Sequence, residues 1–184
     1  MRLSLRRHPD SPCRAVASIE VDVERFHPGA LVLRYAVVGR LSNLLIPPVT
    51  ASHRADELWR HTCFEGFVLA PPDDAYYEFN LSPSTAWAAY RFSSYRSGMR
   101  IANEIPRPLN GVESSAAAYE LHASLELDRL PALPTDTIWR LGLSAVIEES
   151  NGLMSYWALA HPPGKPDFHH ADCFALELPT ASQP

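Results

Sequence analysis

The sequence predicts an all-β fold: an antiparallel sandwich, immunoglobulin-like or jelly-roll, of about nine strands with one short helix. Three observations lead there. Apolar residues recur with period two in one run after another, the signature of half-buried strands. Seventeen prolines against eight glycines punctuate the chain between those runs and leave little room for long helices. Asn151-Gly152 stands between two such runs, and this pair is favoured in type I′ hairpin turns because both central residues need positive φ.

Residues 1–13 carry no clear alternation and are expected to form a flexible N-terminal segment. One domain is expected over 14–179, since 184 residues suit a single hydrophobic core. In Ala15–Arg25 the residues Ala15, Ala17, Ile19, Val21 and Val23 share one face, with Glu20, Asp22 and Glu24 on the other. Leu31, Leu33, Tyr35 and Val37 repeat the pattern after the His27-Pro28-Gly29 turn. The one helical candidate is Ser52–His61, with Ser52 at its N-cap. Glu65 then sits in an otherwise apolar strand. Tyr77, Phe79 and Leu81 alternate with Tyr76, Glu78 and Asn80, and Leu121, Ala123, Leu125 and Leu127 with His122, Ser124 and Glu126. The longest face is Trp139, Leu141, Leu143, Ala145 and Ile147; strands over Leu153–Ala160 and Phe174–Leu178 follow. Residues 180–184 are expected to fray.

Composition narrows the function. Hydrophobic residues make up 46% and charged residues 20%, as in ordinary globular domains. A net charge of -5 argues against nucleic acid as a partner, because phosphate binding needs a positive field. No apolar stretch approaches the roughly 20 residues of a membrane span, and no apolar segment follows the early arginines as in a secretory signal. Cys13, Cys63 and Cys173 are sparse and far apart, which suits buried thiols in a reducing compartment, so a cytoplasmic address is expected.

The sequence carries no nucleophile elbow, Walker loop, dinucleotide fingerprint or H-E-x-x-H, so nothing positive points to an enzyme. Three segments remain. In an extended Leu58–Phe67, Trp59, His61, Cys63 and Glu65 share a face. That sets an indole platform beside a carboxylate acceptor, the pairing that sugars use for stacking and oriented hydrogen bonds. The alternative is a core Trp59 with Glu65 paired to Arg91 or Arg96. The second segment is Tyr76–Pro83 with Trp87, Tyr90, Phe92 and Tyr95-Arg96 downstream, where density of aromatics suits a filled core. The third is Ser155–His170, in which a Pro/Gly-rich loop delivers His161, Asp167, His169 and His170. That set could hold zinc or another metal ion, or could cap the end of the fold through backbone hydrogen bonds.

Taken in order, L-W-x-x-T-C-F-E-x-F, Y-Y-E-F-N-x-S-P, W-x-x-Y-x-F-x-x-Y-R and S-Y-W-A-L-x-H-P-x-x-K-P-D-F-H resemble the motifs of bacterial DOMON-like proteins. These are similar to family 9 carbohydrate-binding modules, within a superfamily of sugar- and haem-binding β-sandwiches. The resemblance spans roughly Ala15 to Leu178. It implies a sugar site in which a tryptophan and a glutamate six residues later take part, here Trp59 and Glu65, with Trp157 as a second aromatic platform. A strand arginine of the relatives falls near Asn80, and the aspartate-rich start of their Trp–Glu strand is replaced by Thr62-Cys63-Phe64. The superfamily's other ligand, haem, is held there by axial Met and His; Met99 and Met154 are the candidates here, without a C-x-x-C-H attachment motif.

The reading that follows is a non-catalytic domain binding a small molecule, a saccharide or sugar-like metabolite, through Trp59, Glu65, Asn80, Arg96 and Trp157, with no cofactor required. A metal protein or enzyme built on the histidine loop, b-type haem binding, and a homodimer pairing through an aromatic face are the alternatives.

Overall fold

The computed structural model describes residues 1–115 and 117–181, the side chain of Phe26 excepted. Twelve strands follow in order: β1 (Arg2–Arg7), β2 (Val16–His27), β3 (Ala30–Gly39), β4 (Cys63–Leu69), β5 (Tyr76–Leu81), β6 (Trp87–Phe92), β7 (Arg100–Ile101), β8 (Leu109–Ser114), β9 (Ala118–Glu126), β10 (Trp139–Glu148), β11 (Met154–Ala158) and β12 (Leu176–Leu178). They form one continuous antiparallel path, β7-β6-β5-β4-β10-β11-β1-β2-β3-β9-β8, with β12 alongside β10. The path curls so that β2, β3, β9 and β8 face β4, β5, β6 and β10 across a shared core.

Alternation sends the predicted residues into that core except Ala17, which is exposed where the pairing of β2 with β3 shifts register between Val16 and Ser18. Ile19, Val21, Leu31, Leu33, Tyr35, Leu121 and Leu125 meet Phe64, Tyr77, Phe79, Leu81, Leu141 and Leu143, nearly all without exposed surface. The two layers approach closely at Gly66, where an added methyl group would come within 3.2 Å of the Leu33 side chain.

A second apolar layer covers the opposite face of β4, β5, β6 and β10. There Phe67, Tyr76, Tyr90, Phe92 and Val146 pack with Phe168 and Phe174 of the segment after β11. Strands β4 and β5 are therefore buried on both faces, which explains why their sequence reads as nearly continuous apolar runs.

One buried cation closes the bottom of the sandwich. The Arg25 guanidinium lies 3.5 Å from the centroid of Trp139 and donates to the carbonyls of Pro28, Thr135, Thr137 and Pro179 at 2.7–3.3 Å. Among the described residues no carboxylate forms an ion pair with it; carbonyl dipoles and an indole face surround it instead.

Several expectations need correction. The strand count is twelve, because β1, β7 and β8 carry little apolar periodicity: β7 has two residues, and β8 is a largely exposed strand at one end of the path. Residues 2–7, expected within a flexible segment, form β1, which pairs with β2 through Leu3–Val21 and with β11 through Arg7–Trp157. Ser52–His61 is not a helix. Its backbone is used by the sheet: Trp87 N–H donates to the His53 carbonyl and Ala55 N–H to the Trp87 carbonyl. Only the 3₁₀ turn Leu58–Arg60 remains. The Asn151-Gly152 hairpin exists, but only Gly152 has positive φ, +82°. Asn151 instead accepts the Leu153 N–H through Oδ1 at 2.9 Å, an Asx turn that needs no left-handed asparagine. Of the tail expected at 180–184, residues 182–184 lie outside the described residues.

Candidate functional site

One row of residues crosses the covered face in register: Ala88 of β6, Asn80 of β5, Glu65 of β4, Ser144 of β10 and Ala158 of β11. Alanine at both ends and serine beside the glutamate keep this row low. Taller side chains flank it, and a cleft of about 410 Å³ opens over the floor made by Glu65, Glu78 and Val146.

The walls come from three places. Trp59, on the turn between Glu57 and His61, stands edge-on to Tyr90 with ring centroids 6.1 Å apart. Tyr90 is fixed in turn, its hydroxyl donating to Asp56 at 2.7 Å. Tyr156 of β11 packs with Phe168 of the covering segment to make the facing wall. The β6–β7 hairpin brings Arg96 and Met99 to the rim. Two of these positions hold non-glycine residues with left-handed backbone: Glu57 (φ 59°) begins the turn that aims Trp59, and Arg96 itself has φ 50°. Such conformations cost of order 1 kcal/mol or more and concentrate at functional sites.

The polar floor is unusual for a twice-covered strand. Glu65 is 3% exposed and Glu78 6%. Ser144 Oγ donates to Glu65 Oε2 at 3.1 Å, and Asn80 Nδ2 donates to Glu78 Oε1 at 2.7 Å. Burial, and then the charge of Glu78, push the Glu65 carboxyl well above the ordinary range, against the Ser144 hydrogen bond and the more distant Arg96. Burial likewise raises Glu78. Two adjacent buried carboxyls cannot both ionise cheaply.

His169 closes one end. It shares a 2.8 Å hydrogen bond through Nδ1 with the Tyr76 hydroxyl, and Nε2 stands 3.7 Å from Glu78 Oε2. Burial, aided by the charge of Arg96, lowers its pKa to about 4, so the ring is neutral at neutral pH. Arg96 is turned to Asp167, donating to Oδ1 at 2.7 and 3.2 Å. Burial alone would raise the Asp167 carboxyl, but hydrogen bonds from Tyr95 and Arg96 hold it below its ordinary value.

The structure thus brings together three of the five predicted ligand residues, Trp59, Glu65 and Arg96, at one cleft. Asn80 lies beneath it, wholly buried, and acts by holding Glu78. Trp157 faces the other way. It is 6% exposed in the core between the layers, its indole N–H donating to Ser155 at 3.0 Å. Strand parity gives the wall position to its neighbour Tyr156. Glu78, Tyr90 and Tyr156 are the residues that sequence reasoning passed over as cleft residues. The signal for Glu78 was available, since it shares a face with Asn80 two residues away.

The histidine loop is dispersed. His161 Nε2 bonds the Arg6 carbonyl at 2.8 Å, Asp167 serves Arg96, His169 bonds Tyr76, and His170 Nδ1 accepts the Asp172 N–H at 3.2 Å. Among the described residues no group of three or more His, Cys, Asp or Glu is placed to hold a metal ion.

The fold defines the chain's class as an antiparallel β-sandwich with a ligand-sized cleft on the covered face of one layer. No family model matches the chain, and no curated protein matches it by sequence. Among solved structures it is similar to a protein from Bacteroides uniformis that carries a provisional description as carbohydrate-binding. The TM-score is 0.66 at 14% identity, over 94% of this chain and 83% of that one. Two structures of a family 9 carbohydrate-binding module from Caldicellulosiruptor kristjanssonii, in complex with glucose and with cellotriose, give TM-scores of 0.49 and 0.46. Their identities are 15% and 12%, over 84% and 82% of this chain and 72% of each module. At such identities the likeness is one of fold. No helix among the described residues is long and apolar enough to cross a membrane.

Proposed function

We propose that this chain is a non-catalytic binding domain for a small carbohydrate or sugar-like metabolite, held in the cleft over Glu65 and Glu78. One observation carries the reading: Trp59, 38% exposed, stands beside Tyr90 above buried carboxyls. An open indole face accepts the C–H face of a sugar ring, and the carboxyls and Arg96 offer acceptors and donors for its hydroxyls. The cleft volume lies within the 300–1,000 Å³ usual for small-ligand sites. The motif resemblance to DOMON-like proteins and the fold shared with the Bacteroides protein are consistent with this role. Three free cysteines fit a reducing, cytoplasmic setting, where a small soluble sugar is a more natural ligand than a polymer.

A panel of mono- and disaccharides tests the reading by thermal shift and calorimetry. A true ligand raises the melting temperature as RT ln(1 + [L]/Kd) requires, and Trp59→Ala abolishes the shift while the variant stays folded. If no saccharide shifts the parent protein, the reading fails.

A further inference from the structure

We infer that the cleft selects a ligand bearing a protonated amine, and therefore that its saccharide is an amino sugar; this rests on the carbohydrate reading above and names the ligand within it.

Glu65 and Glu78 are each more than nine-tenths buried, and neither forms an ion pair with Lys or Arg among the described residues. Among the described residues Glu65 Oε2 accepts one hydrogen bond, from Ser144, and Oε1 accepts none. Glu78 Oε1 accepts one, from the neutral amide of Asn80, and Oε2 faces a His169 ring that burial keeps neutral. Arg96 is the cation at the rim, but its guanidinium is already matched by Asp167 at 2.7 and 3.2 Å. The local balance is an internally neutral Arg96–Asp167 pair and two carboxyls without a counter-charge.

Buried carboxylates are normally paired. Here the strands could have supplied a partner and instead present Ala88, Ser144 and Ala158 along the same row. Burial raises both carboxyls above their usual range, and the charge of Glu78 adds to the shift of Glu65, so each would ionise more readily beside a bound cation. The walls agree with the floor. Trp59, Tyr90 and Tyr156 surround the carboxyls with ring edges and faces, and electron-rich rings around an acidic floor are how proteins hold ammonium groups. A neutral sugar brings these carboxyls no positive charge against which to ionise. An ammonium substituent supplies one while the ring still stacks on Trp59.

Calorimetry at pH 7 on the full chain, with D-glucosamine, D-glucose, N-acetyl-D-glucosamine and choline as probes, decides the matter. The expected result is glucosamine binding at least tenfold tighter than glucose or its N-acetyl form. Glu65→Gln and Glu78→Gln should each reduce that preference several-fold. Both variants remove a strained buried acid, so folding, checked by thermal melts, is retained. Glucose binding as tightly as glucosamine overturns this inference and leaves the carbohydrate reading intact. Choline binding alone supports the ammonium pocket and overturns the sugar. No binding by any of the four overturns the inference, and the wider saccharide panel then decides the carbohydrate reading separately.

Discussion

Ser144 of β10 stands directly opposite Glu65 of β4, and its hydroxyl donates to the Glu65 carboxyl at 3.1 Å. This one hydrogen bond steadies the ionised form of an acid whose burial favours the protonated one. The contest has a thermodynamic consequence. Because the folded pKa of Glu65 exceeds its unfolded value, protonated Glu65 stabilises the fold below the ordinary glutamate range. That stabilisation is lost as pH rises through the neutral range.

Glu65→Gln should therefore melt higher than the parent above neutrality, and the two should converge in mild acid. A gain of about 1 kcal/mol corresponds to roughly 2–4 °C for a domain of this size. Ser144→Ala removes the hydrogen bond that lowers the Glu65 pKa, so it should deepen the loss of stability and extend it to higher pH without moving its onset. Thermal melts across the pH range check both; parallel curves for parent and Gln variant would refute the linkage.

The two tryptophans should separate cleanly. Trp157→Ala empties a core position and should cost about 3–5 kcal/mol in urea denaturation. Trp59→Ala removes a partly exposed ring and should cost about 1 kcal/mol or less while abolishing saccharide binding. Equal destabilisation by both would place Trp59 in the core and remove the platform.

His169 should remain neutral far below the usual histidine range. Its pKa is lowered from 6.5 to about 4, so its contribution to stability is complete above 6.5 and is lost as pH falls through about 4. Imidazole nitrogen shifts in NMR report this directly. A ring that titrates near 6.5 would show that its burial is not maintained in solution.

Arg25→Lys should be costly although charge is conserved. One ammonium cannot reach the four carbonyls that the guanidinium serves, nor stack on Trp139 as a plane. A loss of about 2–3 kcal/mol is expected from unpaired buried carbonyls, read from urea midpoints; a change under about 0.5 kcal/mol would show that water replaces the fork.

The sequence made the two-layer core legible because period-two alternation reports which face is buried. Ile19, Leu33, Phe79 and Leu143 all fall where parity puts them. It also marked Glu65, since a carboxylate in an apolar strand is conspicuous. Parity without orientation misled at Trp157, where alternation pairs Tyr156 with the cleft and sends the tryptophan to the core. In the covering segment, His161, Asp167, His169 and His170 are close in sequence, which suits either a metal-holding set or a cap made through hydrogen bonds. Proline-rich chain instead spreads them over Arg6, Arg96, Tyr76 and Asp172. Strand β1 was invisible for a simple reason: Leu5 is its one fully buried residue, so it carries no pattern, only position.

That position matters beyond the fold itself. Two separate stacked sheets would end in four open margins, each a row of unpaired amides able to recruit another chain. By leaving one layer and entering the next, Arg2–Arg7 welds two of those margins together, and the path β7 to β8 has only two ends. One of them is a two-residue stub. A protein clipped after Arg7 would reopen both seams at once, so its first symptom should be self-association rather than loss of the cleft.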